Sequence, residues 1–242
     1  MTTYNLLSED SSNAKLAKSA LVDGGRYYSV ILYLAPSRMN RRGVELCIGA
    51  TEECRKACLY TAGRGAFSNV QDARMRRANL FVEDKVEFLR LLREDITKAA
   101  DSAMKQGKEL VVRLDGTSDA VAKECYDLMR EFPLVQFMDY TKDLFKFAQF
   151  MTGKLPKNYT VALSFTPENQ PYAIHGLEHG ARVSVVFQGE LPETWHGFPV
   201  VDGDKHDLIF LQPMGSVLGL KAKGKARAMA SGGFIQIGKG GN

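Results

Sequence analysis

Cysteine is scarce in this chain of 242 residues, with four in all, and their placement excludes more than their number does. A secreted domain stapled by disulfides spreads several pairs along a short chain. Here three thiols crowd into the run CIGATEECRKAC and the fourth, Cys125, stands far from them. There is no second short-spaced Cys pair, so the ligand set of a zinc ribbon is missing. No apolar run reaches the roughly eighteen residues of a membrane span. The start of the chain, MTTYNLLSEDSSNAK, lacks the basic and then apolar order of a signal sequence. A cytoplasmic protein without a membrane partner is therefore expected. Internal repeats and low-complexity linkers are absent too. So are acidic residues from Met214 to the end, where Lys221, Lys223, Lys225, Arg227 and Lys239 make a basic, glycine-rich segment.

What remains is a composition with 45% hydrophobic and 25% charged residues and a net charge of +4, ordinary for a globular chain with a sizeable core. The net charge alone does not call for a nucleic-acid partner. The basic segment could hold phosphates through Lys221, Lys223, Lys225 and Arg227, or be a solvated surface. It lacks the order of a phosphate-binding loop, G-x4-G-K-[ST].

Cys47, Cys54 and Cys58 have the spacing Cys-x6-Cys-x3-Cys. Thiolates this close commonly share a metal, and three ligands without a fourth suit a centre that keeps one position open for chemistry. Reduced, unliganded thiols are the alternative. Cys125 falls on a helical stripe with Val121, Leu128 and Phe132 and reads as core. His175 and His179 have the i, i+4 spacing that suits zinc, but Gly176 and Gly180 weaken that helix and no third ligand accompanies the pair.

Apolar, strand-like runs recur at 27–36, 109–119, 134–143, 159–169, 181–190 and, less regularly, 198–213. Most are continuous rather than alternating, as in strands covered on both faces. Between the first two, Phe81, Phe88, Leu89, Leu92, Ile96 and Ala99 form a helical stripe that Gly107 would end. Segments 119–132, 143–153 and 169–179 read as shorter helices. The expectation is one α/β domain with a partial (β/α)6, TIM-barrel-like parallel sheet: an N-terminal extension over 1–26, a barrel-like core over 27–212 that carries the cysteine loop after its first strand, and the basic segment over 213–242.

Polar clusters end nearly every run, and in such a sheet these ends gather on one rim, where enzymes of this architecture keep their sites. Asp139, Lys142, Asp202, Asp204 and His206 are the candidates for contact with substrate or proton transfer, His206 because neighbouring carboxylates favour its charged form. Any one of these polar residues could equally be a helix cap or a turn residue, as Asp119 looks to be.

The order SSNAKLAKS, VILYLAPSRMNRRGVELCIGATEECRKACLYTAGRG, VRLDGTSD, DYTK, ALSFTPEN, VDGDKHD and GLKAKGKA resembles a family of bacteriophage and prophage proteins over nearly the whole chain. That resemblance implies a host-cytoplasmic setting. A three-cysteine loop after the first strand is also distantly similar to the radical S-adenosylmethionine enzymes. In those, three thiolates hold a [4Fe-4S] cluster and the remaining iron binds the methionine part of the cofactor. The similarity implies Cys47, Cys54 and Cys58 as cluster ligands. It also implies Asp115, Ser118, Ser164 and Asn169 as contacts to the cofactor, and a small-molecule or nucleotide substrate. The usual spacing there is Cys-x3-Cys-x2-Cys, and LDGTSD stands where a Gly-Gly-Glu-like run would. The competing expectation is a nucleic-acid-binding protein, or a nuclease using Mg2+ at Asp115, Asp119, Asp202 and Asp204, with zinc or a cluster only shaping the cysteine loop.

Overall fold

The computed structural model describes residues 5–9, 14–229 and 233–239. Parts of the N-terminal extension (1–4 and 10–13) and of the basic segment (230–232 and 240–242) lie outside the described residues. The strands are β1 (Leu7–Glu9), β2 (Tyr27–Leu32), β3 (Glu109–Arg113), β4 (Gln136–Thr141), β5 (Tyr159–Ser164), β6 (Arg182–Gln188), β7 (Thr194–Trp195), β8 (Phe198–Asp202), β9 (Val217–Lys221) and β10 (Ile235–Ile237). The helices are α1 (Ala14–Ser19), α2 (Glu52–Lys56), α3 (Ser68–Glu83), α4 (Lys85–Lys105), α5 (Tyr126–Glu131), α6 (Leu144–Met151) and α7 (Gln170–Glu178).

These strands form one sheet in the order β1-β2-β3-β4-β5-β6-β9-β8-β7, with β10 also paired to β6. From β2 to β8 every pairing is parallel, while β1 and β7 join antiparallel at the two edges. Five consecutive strands, β2 to β6, lie side by side in chain order, the winding that βαβ units of constant hand produce. The sheet does not close on itself, so the barrel expectation reduces to an open, mostly parallel α/β sheet. The reason lies at its far end. The run at 198–213 supplies only β8 and a helical turn at Ile209–Leu211. It is β9, from the segment read as a basic appendage, that pairs with β6.

Alternation along the strands separates two buried layers. Leu110 and Val112 of β3, Phe137 of β4 and Val161 of β5 pack with Phe88, Leu92 and Ile96 of α4. Val183, Val185 and Phe187 of β6 pack with Phe147 of α6 and Leu177 of α7. The other face, with Tyr27, Val111, Met138, Ala162 and Leu218, is covered by Leu208 and Ile209. Both faces are therefore dry, which explains the continuous apolar runs. Burying a side chain such as Phe88 completely stabilises the fold by about 1.5–3 kcal/mol.

The long helical stretch is two helices that break at Asp84, whose side chain caps α4 by accepting from the Glu87 amide at 3.0 Å. Gly107, at φ +65°, ends α4 as expected. Its amide donates to the Met104 carbonyl and that of Lys108 to the Ala103 carbonyl, so the last carbonyls of the helix are satisfied.

Candidate metal centre

The cysteine loop leaves β2 and folds back on itself. The Leu46 amide donates to the Ser37 carbonyl, and the Asn40 side chain both donates to the Val44 carbonyl and accepts from the Val44 amide. Arg55 ties the loop to α2, with contacts to Glu45 Oε2 at 3.0 Å, Ser37 Oγ at 3.2 Å and the Ala50 carbonyl at 2.7 Å. The α2 helix starts at Thr51, whose hydroxyl accepts from the Cys54 amide. Cys54 lies within this short helix, and Cys58 lies two residues beyond its end, in extended backbone before the turn at Leu59–Thr61.

All three cysteines are half-buried and reduced, whereas Cys125 is buried in the core as its helical stripe implies. Cys47 Sγ accepts from the Ser37 amide at 3.1 Å and lies 3.6 Å from the Thr117 carbonyl at the end of β3. Burial pushes the Cys47 thiol up to about 12; the Ser37 amide opposes that, and Cys58, Glu45 and Cys54 add to it. Burial also raises Cys58, reinforced by Cys54, while the Tyr60 amide, Arg74 and Lys142 pull it down. Charge on Cys58 or Cys54 would thus disfavour a thiolate at Cys47, while Arg74 and Lys142 favour one at Cys58.

Their spacing bears on what they could hold. Three thiolates bound to one zinc at about 2.3 Å stand about 3.8 Å apart. Among the described residues, the set of three such ligands whose donor atoms all lie within 4.8 Å of one another is His175, Glu178 and His179, so at least one pair of the three cysteine sulfurs stands farther apart than that.

Neither Arg74 nor the packing of the loop's far side was anticipated from the sequence. Arg74, on α3, lies between Tyr33 (4.5 Å to the ring centre) and Tyr60 (5.6 Å) and is buried, and its Nε and Nη1 have no hydrogen-bond acceptor. In the sequence it stands among Arg76 and Arg77 in a polar helix, with nothing to single it out. The far side of the loop is covered by the C-terminal segment: Ala57 packs with Ala226 and Ile235, and the Phe234 amide donates to Glu53 Oε2 at 2.8 Å.

The expected cofactor and catalytic residues divide. Asp115 is buried and already supplied with donors: Ser118 Oγ, the amides of Ala120, Val121 and Ala122, and Lys146 Nζ at 3.3 Å. Burial works against its charge, but Lys146 and these donors outweigh it and lower its pKa. Asp119 takes Thr141 Oγ1, the Lys142 and Asp143 amides and Lys146 Nζ at 2.6 Å. Asp139 is fully buried and accepts from the Asp115 amide and from Tyr159 Oη. Asn169 is buried in a capping box with Thr166, and its amide also donates to the Ser164 carbonyl. These side chains therefore build the rim from within, together with Lys146 and the Arg113–Asp207 pair at 2.9 Å.

Lys142 and Ser164 are half-buried at the strand ends, with Lys142 Nζ 5.2 Å from the Phe234 ring centre and Ser164 Oγ bonded to Ser184 Oγ. Asp202 ends β8 at the same rim, two strands beyond β6, and Asp204 and His206 follow it. Asp202 accepts from the Asp204 amide, Asp204 accepts from the Lys221 amide and from Lys223 Nζ, and His206 accepts from the Leu208 amide. Of the basic run, Lys221 pairs with Glu190 and Arg227 donates to the Ala222 carbonyl, while Lys225 is exposed. A cleft of about 280 Å3, lined by Gln188, Gly189, Lys221, Ala222 and Arg227, opens where β6 and β9 end. No helix among the described residues is long and apolar enough to cross a membrane.

The family model described as Gene product 88 matches residues 5–236, so the chain belongs to that phage-type family. No curated protein and no solved structure matches it.

Proposed function

We propose that this member of the Gene product 88 family is an iron-sulfur enzyme of the radical S-adenosylmethionine type, acting on a small-molecule or nucleotide substrate. The observation that carries this reading is the trio Cys47, Cys54 and Cys58: half-buried, with at least one pair of sulfurs farther apart than a single zinc would draw them, and seated just beyond the ends of β2 and β3. When bound, a [4Fe-4S] cluster would supply one electron for reductive cleavage of S-adenosylmethionine. The open, singly wound sheet is then read as a TIM-like barrel left unclosed, with its chemistry at the usual rim.

The chain's own residues have separate tasks. Arg74 and Lys142 place positive charge beside the thiolates and offset their repulsion. Lys142 and Ser164, half-buried at the rim, are positioned to touch cofactor or substrate, whereas Asp115, Ser118, Asp139 and Asn169 hold the loops that carry the site. The C-terminal segment over α2 excludes water from the loop's far side.

The test is visible absorption with iron and sulfide analysis on protein purified without oxygen, beside Cys54→Ala. A broad visible band with stoichiometric iron and sulfide, both lost in the variant, is expected, followed by cleavage of S-adenosylmethionine under reducing conditions. Colourless protein that takes up no iron on anaerobic reconstitution would overturn the reading.

A second reading, nucleic-acid binding, is favoured by the cleft at the β6 and β9 ends with Lys221 and Arg227 in its wall. It requires affinity that falls steeply with salt. The Mg2+ nuclease form has less support, because Asp115 and Asp119 are committed to Lys146 and Asp204 to Lys223.

A further inference from the structure

The last turn of α7 brings together three side chains that the cysteine chemistry does not use. Donor atoms of His175, Glu178 and His179 all lie within 4.8 Å of one another, and all three residues are exposed. The two imidazoles have ring centres 4.2 Å apart. Glu178 is the third ligand that i, i+4 spacing alone could not reveal.

Two further features prepare this group for a cation. His179 Nδ1 is 2.8 Å from the His175 carbonyl. As the donor in that bond it leaves Nε2 unprotonated and facing outward, the arrangement in which backbone carbonyls orient metal-binding imidazoles. His179 also caps the C-terminus of a helix of nine residues, where the helix dipole favours positive charge. The turn itself is fixed, with the Gly180 amide donating to the Leu177 carbonyl and that of Ala181 to the Gly176 carbonyl.

We infer that His175, Glu178 and His179 form a binding site for a divalent transition metal of the zinc class. Two imidazoles and a carboxylate are the donors such ions select, and they suit Mg2+ or Ca2+ poorly. Three protein ligands leave the remaining coordination to water. The site lies just before β6, at the rim where parallel strands begin, whereas the cysteine loop lies where they end. It is therefore independent of the proposed cluster and stands or falls apart from it.

The experiment is equilibrium dialysis of the full chain, stripped of metal by a chelator, against Zn2+. Wild type, His175→Ala, His179→Ala, Glu178→Gln and a Cys47→Ser, Cys54→Ser, Cys58→Ser triple variant would be compared. We expect either histidine variant to bind one equivalent fewer than wild type, through an affinity loss of about ten-fold or more. The triple cysteine variant should keep that equivalent, and Glu178→Gln should weaken it. The histidine and glutamate substitutions are at the surface, so thermal midpoints in chelator should match wild type. Zinc stoichiometry and affinity unchanged in both histidine variants would overturn the site. That comparison within the cysteine-containing protein holds even if the triple variant fails to fold.

Discussion

Lys146 Nζ lies 2.6 Å from Asp119 Oδ1, and the lysine side chain is 1% exposed. The same ammonium reaches Asp115 Oδ2 at 3.3 Å, so one helix side chain bridges two carboxylates beyond the ends of the central strands. Asp119 in turn binds the Lys142 amide through its carboxylate and donates its own amide to the Leu46 carbonyl, one residue before Cys47. The position of the cysteine loop is thereby tied to a buried ion cluster. Burial disfavours the charge on Lys146, but the two carboxylates overcome this and hold it protonated.

Removing that charge should be costly. Lys146→Met leaves two carboxylates that must share a dry site, and breaking a buried pair in this way costs about 3–5 kcal/mol. Urea unfolding of the variant should show a loss in that range, partly recovered by adding Asp119→Asn. A loss below about 1 kcal/mol would mean that the cluster does not depend on the ammonium.

Asp139 should make stability fall as pH rises. Burial first, and then the Asp115 charge, raise its pKa well above the ordinary 3.8, against the pull of Lys146 and Arg113. Its folded-state pKa exceeds the unfolded value, so its contribution is complete below about 3.8 and is lost as pH rises through the raised folded value. Asp139→Asn keeps an acceptor for the Asp115 amide and cannot ionise. Unfolding free energies measured from about pH 5 to about pH 8 should move in favour of the variant. A wild type that gains on it with rising pH would contradict the raised pKa.

The parallel α/β character was legible because runs such as 109–113 and 182–188 are apolar on both faces, a pattern with few other solutions. The strand that extends the sheet past β6 was not. VLGLK is short, contains a glycine and is embedded in basic residues, so local pattern assigned β9 to an appendage when only its pairing with β6 reveals it. The site divided along similar lines. Clustered cysteines announce themselves, but a catalytic acid at a strand end and a buried structural acid look alike in sequence, and the partner that distinguishes them, Lys146, is 27 residues from Asp119. One signal did exist: Lys146 is the lone charge within the apolar helix LFKFAQFM.

Gly49 should be needed for loading the centre. It sits at φ +77°, and a Cβ there would collide with the Lys142 carbonyl, so Gly49→Ala must displace the cysteine loop from the end of β4. Gly43 has a similar φ of +64° with nothing within 4 Å of a Cβ, so Gly43→Ala carries the backbone strain of about 1 kcal/mol without the collision. Metal content after anaerobic reconstitution should drop in Gly49→Ala and stay near wild type in Gly43→Ala. Equal content in both would show that contact with Lys142 does not set the loop.

Arg74 offers a way to separate fold from redox chemistry. Two of its guanidinium nitrogens lack acceptors, and a buried charge so poorly hydrogen-bonded contributes little to folding beyond its contacts with Tyr33 and Tyr60. Arg74→Met fills similar space without the desolvation cost, so the unfolding free energy should change by less than about 1 kcal/mol. Its positive charge, however, lowers the cost of the Cys58 thiolate and would equally favour an added electron on a cluster held there. Losing on the order of 1 kcal/mol of that interaction moves a one-electron potential negative by about 40 mV. Spectroelectrochemistry of reconstituted wild type and Arg74→Met measures this directly, with Arg74→Lys expected between them. An unchanged potential in a variant of unchanged stability would separate Arg74 from the metal and leave it as packing for the two tyrosines.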